Sequence, residues 1–282
     1  MTMSISVIGL GMMGRPMART LLEAGCDVRG WNRSALSPDL TEGIPICRTI
    51  QEASQADVCL LMLLDSTAVD AVLEEMETHL KAGQVVMDMS SSDPANSTDH
   101  ARRLVAKGIG WIDAPVSGGP EGAAAGTLAI MAGGAASDFE TVKPVLEILG
   151  GNVVHVGGPG MGHVVKVINQ VIVGLTIQAV AEALTLAEKS GVDPRLVQQA
   201  LKGGFADSKI LQIHGTRMIE RSYVPGGKAA IQLKDLRLGQ ELATTAGVRL
   251  PHLESLIRFY ERLISQKDGD LDHSAIHKLL WT

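Results

Sequence analysis

Three glycines follow the first predicted strand. The stretch VIGLGMMG places Gly9, Gly11 and Gly14 in a G-x-G-x-x-G arrangement directly after the apolar run ISVIGL. Gly9 permits a tight turn, Gly11 lets the backbone approach a pyrophosphate, and Gly14 lets a helix pack on the strand. The N–H groups and dipole at the start of that helix attract phosphates. Alone, the motif also fits a glycine-rich turn without a ligand, but its position at the first strand of a βαβ pattern favours a dinucleotide. The predicted contacts are Gly9, Leu10, Gly11, Met12, Met13 and Gly14.

Strand-like and helical segments alternate along the first half of the chain. Short β-rich runs lie at 5–10, 27–31, 57–63, 85–89 and 111–114, with helical patterns such as MGRPMARTLLEAG between them. Two further runs, TLAIMAGG and NVVHV, flank the helical stretch ASDFETVKPVLEILG. This alternation predicts an α/β fold with a mostly parallel, doubly wound sheet of the Rossmann type.

After Val156 the pattern becomes helical. GGPG breaks the chain, and one long helix is predicted from about His163 to Lys189. Further helical segments follow, among them IQLKDLRLGQELATTAG and PHLESLIRFYERLISQ. We therefore predict a cofactor-binding Rossmann domain at 1–162 and an all-helical substrate and oligomerisation domain at 163–282, joined by the long helix.

Charge and composition exclude several classes of protein. The formal net charge is −6 with no basic run, which argues against nucleic acid as a partner. No signal peptide is evident, and the three cysteines form no CxxC, so a cytoplasmic protein is expected. The eight histidines show no ligand spacing with carboxylates or cysteines, so no metal site is predicted. The longest apolar stretch is interrupted by polar residues, which argues against a membrane span; they are Lys166, Asn169, Gln170, Gln178 and Glu182.

The end of the second strand indicates which dinucleotide is bound. An NAD site usually has Asp or Glu about 20 residues after the glycines, to hold the ribose 2′-OH. This chain has Asn32, Arg33 and Ser34 there. No carboxylate would repel a 2′-phosphate, and Arg33 could bind one through charge-assisted hydrogen bonds. NADP(H) is therefore the preferred cofactor and NAD(H) remains possible. In the alternative, Arg33 is an ordinary solvated arginine.

Lys166 lies in an apolar helical turn, GPGMGHVVKVINQ, where a lysine is unexpected. Asn169 and Gln170 follow it at i+3 and i+4, so the three polar side chains share one face, while Val164, Val165, Val167 and Ile168 can pack. Hydride transfer to a carbonyl carbon requires a proton at the oxygen. A lysine in a closing cleft can deliver it, because burial depresses the pKa of a lysine towards neutrality. Lys166 is thus predicted to be the acid/base, although an isolated lysine can also extend to the surface.

Several motifs together resemble one family. These are GLGMMGRPMARTLL at 9–22, DMSSSDP at 88–94, DAPVSGG at 113–119, GPGMGHVVKVINQ at 158–170 and QLKDL at 232–236. In this order, and over nearly the whole chain, they closely resemble the β-hydroxyacid dehydrogenase family, which includes 3-hydroxyisobutyrate dehydrogenases, tartronate semialdehyde reductases and glyoxylate/succinic semialdehyde reductases. The resemblance implies an NADPH-linked oxidoreductase that interconverts a small hydroxy acid and its semialdehyde or oxo acid. It also implies a homodimer or homotetramer.

The resemblance also implies roles for individual residues. Lys166 would be the catalytic acid/base. The substrate contacts would be Ser117, Gly118, Gly119, Asn169, Gln170 and Asp235, the first three at the substrate carboxylate. The further cofactor contacts would be Leu63, Leu64, Ser91 and Lys234. The DAPVSGG stretch by itself agrees, because Ser117 and two glycines at the end of a predicted strand can present a hydroxyl and N–H groups to an anion.

Two departures from the family pattern limit the assignment of a substrate. The family often has Asn-Asn where this chain has Asn169-Gln170, and often a proline where it has Leu64. Two other functions stay open. One is an imine or ketone reductase on the same fold, against which Lys166 argues, and the other is a dinucleotide-sensing protein without turnover. A decarboxylating sugar-phosphate dehydrogenase is disfavoured, because the helical domain is short and has no arginine-rich phosphate patch.

Overall fold

The computed structural model describes residues 3–281 and divides into two compact units, Met1–Lys166 and Val167–Thr282. The predicted boundary after residue 162, between the cofactor-binding domain and the substrate and oligomerisation domain, stays a prediction. Eight strands and the first seven helices lie in the first unit. The strands are β1 Ser4–Ile8, β2 Asp27–Trp31, β3 Val58–Leu61, β4 Val85–Asp88, β5 Gly110–Asp113, β6 Val116–Ser117, β7 Leu128–Gly134 and β8 Gly150–Gly157. The helices are α1 Gly14–Glu23, α2 Pro38–Thr41, α3 Ile50–Ala53, α4 Ser66–Met76, α5 Pro94–Val105, α6 Gly119–Ala124 and α7 Ala136–Leu149.

The strands form one mixed sheet in the order β2-β1-β3-β4-β5-β7-β6, with β8 paired to β7. β1 to β5 are parallel, and β7 runs antiparallel to β5 and β6. The predicted doubly wound Rossmann sheet is therefore confirmed. The two-residue strand β6 and the short helices α2 and α3 were not predicted, because segments of four residues or fewer carry too little periodicity to be recognised.

The central strands are buried on both faces. Along β3, Val58 and Leu60 belong to one apolar cluster, whereas Cys59 and Leu61 belong to a second. Because successive side chains of a strand point to opposite faces, the two clusters lie on opposite sides of the sheet. This double burial explains why the strands are continuous apolar runs rather than alternating patterns.

The second unit is helical, as predicted. It contains most of α8 Met161–Lys189, followed by α9 Pro194–Leu201, α10 Lys209–Ile219, α11 Ala229–Thr245, α12 Pro251–Ser265 and a final 3-10 helix, His273–Leu280. Its core is one apolar cluster of buried side chains from α8, α10, α11, α12 and the final 3-10 helix. Tyr260 of α12 is fully buried in it and donates its hydroxyl to the carbonyl of His273.

Helix α8 is long and apolar enough to cross a membrane, judged by length and composition alone. The polar residues in it therefore do not exclude a span, contrary to the sequence argument. The core helix of a soluble protein passes the same test, so this finding is weak evidence.

Candidate active site

The glycine turn after β1 is shaped by close backbone contacts. Gly9 has φ +101°, and a Cβ there would lie 2.3 Å from the carbonyl oxygen of Met62. A Cβ on Gly14 would lie 1.9 Å from the oxygen of Gly9, so only glycine lets α1 begin this close to the turn. By contrast, a Cβ on the exposed Gly11 would meet nothing within 4 Å. The backbone at Gly11 is thus open to a close ligand such as a pyrophosphate.

The residues around Gly11 leave the start of α1 accessible. Met13 is the N-cap of α1 and makes no side-chain capping bond. Met12 is exposed, whereas Leu10 is buried. With no side chain capping the first turn, its N–H groups and helix dipole suit a phosphate. These residues fit a bound dinucleotide.

The end of β2 is fastened to the glycine turn by Asn32. Its Oδ1 accepts a hydrogen bond of 3.0 Å from the N–H of Leu10, and its Nδ2 donates to the carbonyl of Ser34 at 2.8 Å. The amide of Asn32 therefore holds the loop, a role that the sequence did not suggest. Arg33 and Ser34 are exposed. Across residues 3–281, no hydrogen bond or ion pair engages the guanidinium of Arg33.

The other predicted cofactor residues of this unit follow β3 and β4. The N–H of Leu63 donates to Oγ of Ser90 at 2.9 Å, and Leu64 is 65% exposed. Ser91, one residue after Ser90, is half-buried. β2, β1, β3 and β4 are neighbours in the sheet, so the segments after them meet at its carboxyl edge, where such sheets bind ligands.

Lys166 is buried near the start of α8. Its side chain is only 9% exposed, and Nζ donates a 2.8 Å hydrogen bond to the carbonyl of Val116. Val116 immediately precedes Ser117, so the amino group lies beside the SGG turn. Four apolar neighbours of Lys166 were predicted to pack. Val167 is buried, but Ile168 is 48% exposed, so the prediction was wrong for Ile168. The lysine is thus more buried than its isoleucine neighbour.

The SGG turn lies between β6 and α6. Ser117 is half-buried, and Gly118 and Gly119 have φ of +139° and +68°, values that favour glycine. A Cβ on Gly119 would lie 3.1 Å from Oε2 of Glu121, so a carboxylate is already close to this turn. The turn can offer a hydroxyl and N–H groups, and Glu121 sets a limit on where an anion could approach.

Asp113 anchors the start of α8. Its Oδ1 accepts from the N–H of Gly160 at 2.7 Å and its Oδ2 from the N–H of His163 at 3.0 Å. Burial raises the pKa of Asp113 above its ordinary value, although the His163 ring and these two N–H groups act in the opposite direction. A Cβ on Gly162 would lie 2.3 Å from the carbonyl oxygen of Asp113. The helix start is thus pressed against the end of β5, one turn before Lys166.

A second buried carboxylate, Asp88, is the partner of Asp113 in the register of β4 and β5. It accepts from the N–H of Ser90 and from Oγ of Ser92, while Nε2 of His163 contacts the Ser90 carbonyl at 3.1 Å. Asp88, Asp113 and His163 were not predicted from the sequence to be site residues. The available signal was an aspartate near the end of each of two consecutive predicted strands, where it is the first residue of DMSSSDP and of DAPVSGG.

The second unit contains the other predicted substrate residues in one polar chain. Nδ2 of Asn169 donates to Oε1 of Gln170 at 2.9 Å, and Nε2 of Gln170 donates to Oδ2 of Asp235 at 2.6 Å. Nζ of Lys234 lies 3.2 Å from Oδ1 of Asp235. Buried Gln232, which was not predicted, donates to the carbonyl of Gln170 at 3.1 Å. These contacts tie helix α8 to α11 and orient the amide of Gln170.

Comparison with known proteins decides the family. Residues 4–157 match the NAD binding domain of 6-phosphogluconate dehydrogenase, and residues 160–280 match the NAD-binding family of NADP-dependent 3-hydroxyisobutyrate dehydrogenase. The 2-hydroxy-3-oxopropionate reductase of Escherichia coli is 41% identical over 99% of this chain and 97% of its own. The chain belongs to the β-hydroxyacid dehydrogenase family.

Solved structures agree with this β-hydroxyacid dehydrogenase assignment. A 3-hydroxyisobutyrate dehydrogenase of Mycobacterium tuberculosis, described with L-serine, has a TM-score of 0.87 and 29% identity, and each chain covers 100% of the other. One from Salmonella typhimurium has a TM-score of 0.89 at 28% identity, covering 98% of this chain and 99% of its own.

Family membership confirms the general function predicted from the sequence. This β-hydroxyacid dehydrogenase is an enzyme that uses a nicotinamide dinucleotide and acts on CH–OH groups of a small hydroxy acid. The alternative of a dinucleotide-sensing protein without turnover is therefore set aside.

Proposed function

We propose that this enzyme reduces a short semialdehyde that bears a carboxylate, with NADPH as the preferred cofactor and Lys166 as the proton donor. The nicotinamide, when bound, supplies the hydride to the carbonyl carbon. Lys166 gives its proton to the carbonyl oxygen as that oxygen gains charge, and takes it back when a hydroxy acid is oxidised. The observation that carries the proposal is the buried amino group of Lys166, 2.8 Å from the carbonyl that precedes Ser117.

Ser117, Gly118 and Gly119 are assigned to the substrate carboxylate. One hydroxyl and the N–H groups of a glycine turn suit an anion, and the amino group beside them suits a carbonyl one or two carbons away. Asn169, Gln170 and Asp235 are assigned to the rest of the substrate, and Lys234 to the nicotinamide end of the cofactor. The domain at 1–162 is assigned mainly to the cofactor and the domain at 163–282 to the substrate and subunit contacts. The exceptions are the SGG turn, which contributes to the substrate site from the first domain, and Lys234, which contributes to the cofactor site from the second.

The substrate class is inferred from the segments that carry the proposed substrate residues. These segments contain no cluster of Arg and Lys such as a sugar phosphate would require. Aromatic residues make up only 3% of the chain, too few to line a large apolar pocket. The bacterial reductase of 41% identity is named for 2-hydroxy-3-oxopropionate, that is, tartronate semialdehyde. We propose that substrate first, then methylmalonate and succinic semialdehydes and glyoxylate, in a cytoplasmic enzyme.

The substrate carboxylate is tested by comparing each acid with its methyl ester at saturating NADPH. We expect the ester to lower kcat/KM by at least ~10-fold, through a higher KM and a lower kcat, because the anchor also positions the reacting carbon. Glu121→Gln is a matched variant: removal of its charge should improve binding of the acid but not of the ester. Equal kcat/KM for acid and ester would exclude a carboxylate site and favour ketone or imine reduction.

The cofactor preference is assigned to Arg33, because its exposed guanidinium has no partner among the described residues and no carboxylate stands beside it. We expect NADPH to be used at a higher kcat/KM than NADH. Arg33→Ala should reduce the ratio of kcat/KM with NADPH to kcat/KM with NADH by about 10-fold or more, because it removes hydrogen bonds to a charged phosphate. Arg102→Ala, an exposed arginine on α5, is the control and should leave the ratio unchanged. Equal use of both cofactors by the wild type would overturn the assignment.

A homodimer or homotetramer is proposed from the family resemblance. Support comes from three apolar side chains of α8 that are 48–68% exposed in the single chain, Ile168, Ile172 and Leu186. Exposed apolar side chains repeated along one helix are typical of a subunit contact. Light scattering of the purified chain measures the mass, and a monomer at micromolar concentration would contradict the proposal.

A further inference from the structure

A cluster of three side chains in the second unit lies outside the proposed active-site residues. His214 is on α10, and Asp272 and His273 are at the start of the final 3-10 helix. One ligand atom from each lies within 4.8 Å of the others. The two imidazoles meet through their Nε2 atoms, which are 3.3 Å apart, with the rings at 78°. Asp272 is fully buried and both histidines are half-buried.

The proton of the His273 ring is located by a neighbouring amide. Nδ1 of His273 lies 3.1 Å from Oε1 of Gln232. Nε2 of Gln232 donates to the backbone carbonyl of Gln170, which can only accept, so the orientation of the Gln232 amide is fixed. Nδ1 of His273 is therefore the donor, and in the neutral ring Nε2 presents a lone pair.

The proton of the His214 ring is located by Asp272. Nδ1 of His214 lies 3.3 Å from Oδ1 of Asp272, an ion-pair distance rather than a full hydrogen bond. Oδ2 of Asp272 accepts from the guanidinium of Arg217 and the N–H of Gly226, and Oδ1 accepts from the N–H and Oγ of Ser274. Asp272 therefore faces His214 as an acceptor, so the proton of His214 belongs on Nδ1. Its Nε2 then also presents a lone pair.

Two lone pairs facing each other across 3.3 Å repel unless a cation lies between them. We propose that the Nε2 atoms of His214 and His273 bind a divalent transition-metal ion of the zinc type. Two ligands at Zn–N distances of about 2.0–2.1 Å in a tetrahedral site lie about 3.3–3.4 Å apart, which matches the separation of the two atoms. Imidazole nitrogen is also a common ligand of zinc and of the other divalent transition metals.

Asp272 and Gln232 orient the ligands rather than bind the ion. Oδ2 of Asp272 is already engaged by the guanidinium of Arg217 and by the N–H of Gly226, and its Oδ1 by Ser274. A carboxylate or amide acceptor behind a ligating imidazole fixes its tautomer and ring orientation. Water completes the coordination, because both rings reach solvent. With two protein ligands and no directly bound carboxylate, we expect micromolar rather than nanomolar affinity.

The site does not depend on the proposed reaction. It joins α10 to the final 3-10 helix through residues 59 positions apart, so metal binding should stabilise the helical unit. This separation is also why the spacing of histidines along the sequence gave no indication of it.

The test uses the full, untagged chain, stripped with a chelator and then dialysed. Titration with zinc chloride in a calorimeter should show one site per chain, and copper(II) bound there should show two nitrogen ligands by electron paramagnetic resonance. At about 100 times Kd, zinc should raise Tm by about 5 °C.

His214→Gln and His273→Gln, checked for folding by circular dichroism, should each weaken zinc binding at least ~10-fold and abolish the Tm rise. His252→Gln, which alters an exposed histidine of α12, is the matched control and should bind as the wild type does. If no zinc bound at a concentration of about 1 mM, which corresponds to the Kd of very weak sites, the proposal would be overturned. The close approach of the two Nε2 atoms would then be explained by a proton shared between the rings. Equal affinity in the wild type and both His variants would also overturn it.

Discussion

Lys166→Ala is expected to lower kcat by ~10²- to 10⁴-fold, the usual share of general acid–base catalysis. The amino group is buried and bonded to the carbonyl of Val116, and alanine places no group there that can transfer a proton. The KM for the cofactor should change little, because the glycine turn at 9–14 is proposed to bind the pyrophosphate. Steady-state kinetics with NADPH and tartronate semialdehyde, at several pH values, measures both quantities.

Two further variants separate proton transfer from structure. Lys166→Gln keeps an N–H donor near Val116 but cannot transfer a proton, so it should be as slow as Lys166→Ala while having a Tm closer to that of the wild type. Lys189→Ala, an exposed lysine at the end of the same helix, should retain full activity. Loss of a general acid–base group usually lowers kcat by at least ~10²-fold. If Lys166→Ala kept more than about a tenth of the wild-type kcat, the proton-donor role would therefore be wrong.

Gly162→Ala is expected to destabilise the protein by at least ~2 kcal/mol and to lower kcat by ~10- to 100-fold. The new Cβ would lie 2.3 Å from the carbonyl oxygen of Asp113 and 2.4 Å from that of Met131, both backbone atoms that cannot rotate away. Alanine gains about 1 kcal/mol over glycine in a helix interior, which is less than the clash costs. The start of α8 must therefore move, and Lys166 follows one turn later.

Gly158→Ala is the matched control for Gly162→Ala. A Cβ on Gly158 would meet nothing within 4 Å, so its stability should stay within about 0.5 kcal/mol of the wild type. Denaturant unfolding measures both variants, and kcat is measured at saturating NADPH. Wild-type stability and kcat in Gly162→Ala would show that the close contact between α8 and β5 is not required.

The elements that could be predicted from the sequence are those marked by a short motif or by a periodic pattern of apolar residues. The glycine turn after β1 was predicted from only eight residues, VIGLGMMG. The structure gives a steric reason for Gly9 and Gly14, whereas a Cβ on Gly11 would meet nothing within 4 Å. α8 was predicted from about His163 and begins at Met161. Strand β6 was missed because two residues carry no period. The predicted roles of Lys166, Ser117 and Asn169 stay predictions.

The fold class, the order of the elements and the dinucleotide-type turn could be predicted from the sequence alone, because they depend on the period of apolar residues, on glycine placement and on neighbours within a few residues. Three contacts or exposures could not be predicted in this way: Asp113 anchors α8 across 47 and 50 positions, Oδ1 of Asn32 accepts from the N–H of Leu10, and Ile168 is more exposed than Lys166. Hydrogen bonds and burial between distant residues depend on strand order and packing. A local pattern gives the face of a helix or strand, but not what that face meets.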